Sequence, residues 1–336
     1  MRLLKKVVIH GVLVLGLSLS FSVPSIAAGS QTITMLAKQN ELGLMYANGE
    51  GLRQDYTQAR EWFQKAANQG YAEAQHNLGV LYLNGTGGRQ DYTQAREWFQ
   101  KAANQGYVSS QYNLGIMYAN GDRVRQDYTQ AREWFQKAAN QGYAEAKTNL
   151  GLMYANGEGV RKDLTKAVNL YIEAANQGNA EAQFNLGWRY SHGEGLRQDH
   201  VKALEWYTKA ANQGYVRAQY NLGVLYRDGK GIRQDYAKAL EWFQRAANQG
   251  DAAAQTNLGL MYEEGKGVNQ NYGIAVNLYT KAANQGFAYG QYNLGIIYSS
   301  DAYKDYSKAT QWYEKACINK HKDSCDRYRK LSQWGY

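Results

Sequence analysis

One dipeptide limits what this chain can fold into. Leu-Gly occurs at Leu42, Leu78, Leu114, Leu150, Leu186, Leu222, Leu258 and Leu294, and every step is 36 residues. Eight copies of one short unit cannot share a single central core, so each must bury its apolar surface against the next. The other markers keep the same phase. Tyr46 to Tyr298 follow each Leu by four residues, and Asn-Gln-Gly closes seven copies, first at Gly70 and last at Gly286. The tract Arg53 to Tyr71 recurs letter for letter at Arg89 to Tyr107 and Arg125 to Tyr143, as duplication of one module would leave it. A length of 336 residues suggests two domains, but the period replaces that number with one extended array.

Each copy reads as two helices. In the second, Ala74, Leu78, Leu81 and Tyr82 recur at three- and four-residue steps, which predicts an amphipathic helix A. Asp91 is placed as the N-cap of a helix B, with Gln94 at N3 completing a capping-box-like pair. Tyr92, Ala95, Trp98, Phe99, Ala102 and Ala103 form its apolar stripe, and Gly106 stops it. The chain's one proline, Pro24, precedes the array and breaks neither helix. Gly79 inside helix A costs about 1 kcal/mol against alanine, so its return in all eight copies predicts close approach of helix B. The bulky counterpart is the aromatic pair of helix B, such as Trp98-Phe99.

The string Ala-x-Ala-Gln-x-Asn-Leu-Gly-x-x-Tyr, then Gly-x-Gly, then Ala-x-x-Trp-Phe-x-x-Ala-Ala-x-x-Gly resembles the Sel-1-like repeat family over about residues 35–325. The resemblance implies an all-α fold, an α/α superhelical solenoid of eight 36-residue helix-turn-helix repeats across residues 29–317. It also implies an adaptor for protein complexes in the bacterial envelope or secreted. Three places depart from the pattern: Arg123 replaces a loop glycine, Gly88 replaces a loop apolar residue, and the eighth copy lacks two residues before Asp305. Cys317 takes the place of Ala283 and Cys325 that of Gln291, so the two face each other across a short turn. Cysteine-rich members of the family pair cysteines at this spacing, which implies a disulfide stapling a partial ninth repeat, residues 318–336, as a capping helix. The alternative, a redox-active pair, lacks the Cys-x-x-Cys spacing.

Residues 1–28 read as an export signal. Arg2, Lys5 and Lys6 precede an apolar stretch from Val7 to Val23, and Ser25-Ile26-Ala27-Ala28 supplies a small-residue cleavage site. An uncleaved anchor is the alternative, although the stretch is short for a hydrocarbon core of roughly 30 Å. The expectation is a periplasmic or secreted monomer with no transmembrane segment after cleavage. Cleavage lowers the formal charge from +9 to +6, too mild to expect a nucleic-acid partner.

The binding candidates lie on helix A. The position three before its glycine reads Asn40, His76, Tyr112, Thr148, Phe184, Tyr220, Thr256 and Tyr292, and Trp188 follows one glycine directly. By the resemblance this position lines the concave groove, so His76, Tyr112, Phe184, Trp188, Tyr220 and Tyr292 are the expected anchors for a protein or peptide, an envelope assembly or a host protein. Packing on neighbouring repeats is the competing role. An asparagine row, including Asn113 and Asn221, either reads a ligand backbone or bonds the adjoining helix. The loop arginines Arg53, Arg89, Arg125, Arg161, Arg197 and Arg233 suit an anionic envelope glycan, but loop acids oppose them. The chain has no Ser-x-x-Lys, His-Glu-x-x-His, Walker A loop or Gly-x-Ser-x-Gly, so no catalytic residue and no cofactor are expected. Penicillin binding or weak β-lactam hydrolysis, as in cysteine-rich relatives, is the enzyme alternative. His192, Glu194, Asp199 and His200 are the nearest set to a metal site, each also fitting an ordinary loop or cap role, and no metal is expected.

Overall fold

The computed structural model describes residues 27–121 and 125–336, with backbone only for 27–31. The export signal lies outside the described residues except for Ala27 and Ala28, which open the first helix, and Arg123 lies outside them too. Seventeen helices and no strand occur among the described residues. Helices A are α1 (Ala27–Asn48), α3 (Ala72–Asn84), α5 (Val108–Asn120), α7 (Ala144–Asn156), α9 (Ala180–His192), α11 (Val216–Asp228), α13 (Ala252–Glu264) and α15 (Ala288–Ser299). Helices B are α2 (Tyr56–Asn68), α4 (Tyr92–Asn104), α6 (Tyr128–Asn140), α8 (Leu164–Asn176), α10 (His200–Asn212), α12 (Tyr236–Asn248), α14 (Tyr272–Asn284) and α16 (Tyr306–Ile318). A further helix, α17 (Lys322–Gln333), packs on α16 where a capping helix is expected. This is an all-α solenoid, and no described helix is long and apolar enough to cross a membrane. It falls into two compact units, divided after Ala174 within α8.

Local chemistry explains the helix ends. Asp91 Oδ1 accepts from Thr93 N at 2.9 Å and Gln94 N at 3.0 Å, satisfying two orphan donors of α4. The capping box is not reciprocal, because the Asp91 N–H is already donated to Tyr82 O across the loop, and the Gln94 side chain turns to Glu97 instead. At the other end Gly106 has φ 89°, which lets Tyr107 N reach Ala102 O and Gly106 N reach Ala103 O in a Schellman closure. The shortened eighth loop departs from this pattern. Ser300 ends α15 in extended backbone, and Lys304 takes φ 48°, while Asp305 N still reaches Tyr298 O at 2.8 Å.

The helix A glycine does what its recurrence predicts. A Cβ on Gly79 would lie 2.7 Å from Phe99 Cδ1, and every copy repeats the clash, through Phe63, Phe135, Tyr171, Tyr207, Phe243, Tyr279 and Tyr313 in turn. The ring that fills the space is the second of the aromatic pair. The first packs on the preceding repeat and is roofed by a lysine one turn on, as Lys101 Nζ sits 3.8 Å over Trp98.

Tyrosine in place of phenylalanine brings a hydroxyl into this buried seam, and at three of the four such positions a polar side chain meets it, whereas Tyr171 has the buried Ala155 at the facing place. Tyr279 Oη donates to Glu263 Oε2 at 2.6 Å, Tyr313 Oη lies 3.2 Å from Ser299 Oγ, and Tyr207 bonds Ser191. The equivalent positions facing Phe63, Phe99 and Phe135 are Ala47, Leu83 and Ala119, all buried. A lone buried hydroxyl costs about 1–3 kcal/mol, which accounts for the matched change at those three.

A row of glutamines clasps three helices per repeat. Gln75 Nε2 donates to Ala67 O of the preceding helix B at 3.1 Å, while its Oε1 accepts from Gln105 Nε2 at 2.8 Å. Gln111, Gln219, Gln255 and Gln291 reach the preceding helix B in the same way. Cys325 stands where the next glutamine would, and its sulfur lies within bonding distance of Cys317, with the Cα atoms 4.7 Å apart.

Candidate functional site

The variable helix A row is built into the packing. His76 sits with ring centroids 5.5 Å from Phe99 and 5.0 Å from Tyr107, and its Nδ1 lies 2.9 Å from Ser110 Oγ. Tyr112 lies between Phe135 and Tyr143 at 5.8 and 5.2 Å, and Phe184 between Tyr207 and Tyr215 at 5.7 and 5.3 Å. Tyr220 packs on Phe243 at 5.9 Å, and Tyr292 on Tyr313 and His321 at 5.9 and 4.3 Å. Each of these residues therefore leans on helix B of its own repeat, and most also touch the residue that opens the next helix A.

Exposure divides the row. Asn40, Thr148, Phe184 and Thr256 are buried, Phe184 at 3% exposure, so its ring gives a ligand almost no surface. His76, Tyr112, Tyr220 and Tyr292 are half-buried, with an edge left open. Burial lowers the His76 imidazole from its ordinary 6.5 to about 4, so it is neutral near pH 7. Burial raises Tyr220 as well, against the opposing effect of Arg227. Trp188 is half-buried and stacked on His192 at 4.2 Å, with the Arg189 guanidinium 4.9 Å from its ring. The same arginine binds Glu194 at 2.6 Å.

The asparagine row ties repeats together. Asn77 Nδ2 donates to Asn40 Oδ1 at 3.0 Å, and Asn149 Nδ2 to Tyr112 Oη at 3.2 Å. Asn257 accepts from Arg227, and Asn221 bonds Tyr207. Asn113 is buried beside Leu114. In two repeats the asparagine thus fixes the variable residue one repeat earlier, so the two rows form one mesh. The sequence carried a signal for the accompanying glutamine clasp, since Gln recurs before each Asn-Leu-Gly except at Lys147, which pairs with Glu173 at 2.7 Å.

The remaining candidates are separate. Arg53, Arg89, Arg125, Arg161, Arg197 and Arg233 are all exposed in the loops. Of the four residues around one loop, Glu194 is held by Arg189, His192 by Trp188, and Asp199 caps α10, while His200 Nδ1 is buried without a partner. Among the described residues no three His, Cys, Asp or Glu side chains form a set that could hold a metal ion.

Comparison with known proteins agrees with this architecture. The Sel1 repeat pattern matches residues 39–71, 72–107, 108–143, 144–179, 180–215, 216–251, 252–287 and 288–321. A crystal structure of a protective antigen present in uropathogenic Escherichia coli strains, displaying an SLR fold, is 37% identical with a TM-score of 0.77; the match covers 91% of this chain and 66% of the antigen, just under two thirds of its length. A Sel1 repeat protein from Oxalobacter formigenes is 35% identical with a TM-score of 0.60, covering 63% of this chain and 84% of its own. No curated protein matches the chain.

Proposed function

Because the chain belongs to the Sel1 repeat family, whose repeats generally serve as protein-interaction scaffolds, we propose that it is an exported, non-catalytic scaffold holding a protein or peptide partner on the concave helix A face. The observation that carries this reading is the variable row. One backbone position, fixed eight times over by the same neighbours, changes among Asn, His, Tyr, Thr and Phe while the framework around it repeats. The fold itself accepts all five, so the choice is free to follow a ligand. Where the rings are half-exposed they are already clamped between others, and a partner that docks on Tyr112, Tyr220 or Tyr292 orders few further torsions. Export is supported by the apolar leader and by a cysteine pair positioned for a disulfide at the end of the array. The partner then belongs to an envelope assembly or to a host.

The test is cross-linked capture from envelope and host-cell extracts by the native chain and by the Tyr112→Ala, Trp188→Ala, Tyr220→Ala triple variant, with helicity checked by circular dichroism. The reading expects a defined partner that the folded triple variant loses by tenfold or more. Equal recovery by both proteins would remove it.

A further inference from the structure

We propose that the seventh repeat binds a small aromatic acid, an indole-sized ring bearing a carboxylate, at a site separate from the helix A row. An open notch of about 450 Å³ lies between α12 and α14. Its volume is in the range of small-ligand sites. Leu278 and Ile274 give it an apolar wall, and the side chains of Tyr262, Gln244 and Lys281 also line it. These residues, and the whole loop joining α13 to α14, belong to the described residues.

Six other repeats show what this place holds. Trp62, Trp98, Trp134, Trp206, Trp242 and Trp312 stand at the position of Leu278, and a lysine or arginine one turn on covers each ring, as Lys101 covers Trp98 at 3.8 Å. Trp98 packs in one cluster with Ala66, Leu78 and Leu81, and Leu278 with their counterparts Ala246, Leu258 and Met261. The notch therefore lies where the other repeats seat an indole. The cation is kept although its ring is gone. Lys281 takes the place of Lys101, and among the described residues no ion pair and no ring engages its ammonium. Loss of the ring alone does not explain this, because the fourth repeat, with Leu170, carries Glu173 in place of the lysine, and Lys147 pairs with it at 2.7 Å.

The acids of the stripe have gone as well. The helix B N-cap is Asp in seven repeats and Asn271 here, and the place of Asn277 holds Glu in five others. Where the other repeats have Gln or Lys, this one has Ile274, which is 40% exposed. The seventh repeat has thus kept a cation, shed two carboxylates and a ring, and gained an apolar wall. A ligand that brings back one ring and one negative charge complements all four changes, whereas an internal tryptophan of a peptide brings the ring without the charge. The full chain is titrated calorimetrically with indoleacetate, with neutral indoleacetamide, and with N-acetyltryptophanamide as the peptide-like ring. The proposal expects saturable binding of one indoleacetate per chain and at least tenfold weaker binding of both neutral compounds. Leu278→Trp fills the notch from within and is expected to abolish binding while its urea midpoint stays at or above that of the native chain. Lys281→Gln is expected to weaken indoleacetate at least tenfold and to leave indoleacetamide unchanged, and Leu170→Trp to bind as the native chain does. If thermal melts show Leu278→Trp unfolded, Lys281→Glu replaces it and is expected to lose indoleacetate. No saturable binding by the native chain, equal affinity for indoleacetate and indoleacetamide, preference for N-acetyltryptophanamide, or native binding by a folded Leu278→Trp or Lys281→Glu variant would overturn the proposal.

Discussion

The first three repeats of unit 1 and the repeats of unit 2 solve one packing problem with different chemistry. In both, a helix A glycine admits an aromatic ring. In unit 1 the ring is Phe63, Phe99 or Phe135 and its far neighbour is Ala47, Leu83 or Ala119, so the seam is dry. In unit 2 Tyr207, Tyr279 and Tyr313 meet Ser191, Glu263 and Ser299, while Phe243 has Arg227 at that place, its head turned to Asn257. The lesson is that the glycine sets the geometry and the facing residue sets the polarity. Duplicated sequence preserves the first, while in the second a polar partner accompanies the tyrosine at Tyr207, Tyr279 and Tyr313, Tyr171 keeps the apolar Ala155, and Phe243 keeps its ring beside Arg227.

That contrast can be broken most forcefully by acid. His76 is in unit 1, and no residue at its place in unit 2 is a histidine: they are Phe184, Tyr220, Thr256 and Tyr292. Its folded form resists protonation down to about pH 4, whereas the unfolded chain takes up the proton near 6.5, so the stability it contributes is present above pH 6.5 and lost as pH falls toward 4. The loss is about 3 kcal/mol. Amide hydrogen exchange at pH 5 and pH 7.5 is expected to show α3 and α4 loosening, with α11 and α12 unchanged, and His76→Tyr is expected to remove the difference.

The shared geometry is expected to fail equally in both units. Gly115→Ala and Gly223→Ala each place a Cβ 2.5 Å from a phenylalanine ring and should cost about 3 kcal/mol by overpacking, read as the urea midpoint. If only one of the two is destabilised, the interlock is not common property. Cys317→Ser separates the ends instead, costing about 2.5 kcal/mol of loop closure that exchange should localise to α16 and α17.

The polarity rule is tested by transplant. Phe99→Tyr buries a hydroxyl against Leu83 and is expected to lose about 2 kcal/mol, of which Leu83→Ser in the same chain returns part. An additive double variant would break the rule. The smallest effect expected is that of Asn149→Ala, about 1 kcal/mol for one bond to Tyr112.

The helix pairs, the glycine contact and the place of the cysteines were legible in the sequence, because each is a matter of spacing. The roles of other side chains were not. Gln94 sits where a capping box needs it, yet the donor it would serve is taken by Tyr82 O, a partner nine residues back that only the folded loop supplies. Tyr112 and Phe184 read alike as groove anchors, but one keeps an open edge and the other is closed over by Tyr207, Tyr215 and the Arg217 guanidinium 4.6 Å away. Aromatic content is the same for a ring that packs and a ring that binds.

The glutamine clasp has a consequence for how such a chain grows. Each glutamine is fastened on one side to the helix before it and on the other to the turn after it, so a copy spliced into the middle finds both fastenings already there and leaves none behind. Only the last copy lacks a successor. There Asn319 closes Gln291, and the sulfurs of Cys317 and Cys325 stand where the following glutamine would have bonded. The array can therefore lengthen or shorten by whole repeats while its terminus keeps one unchanging seal.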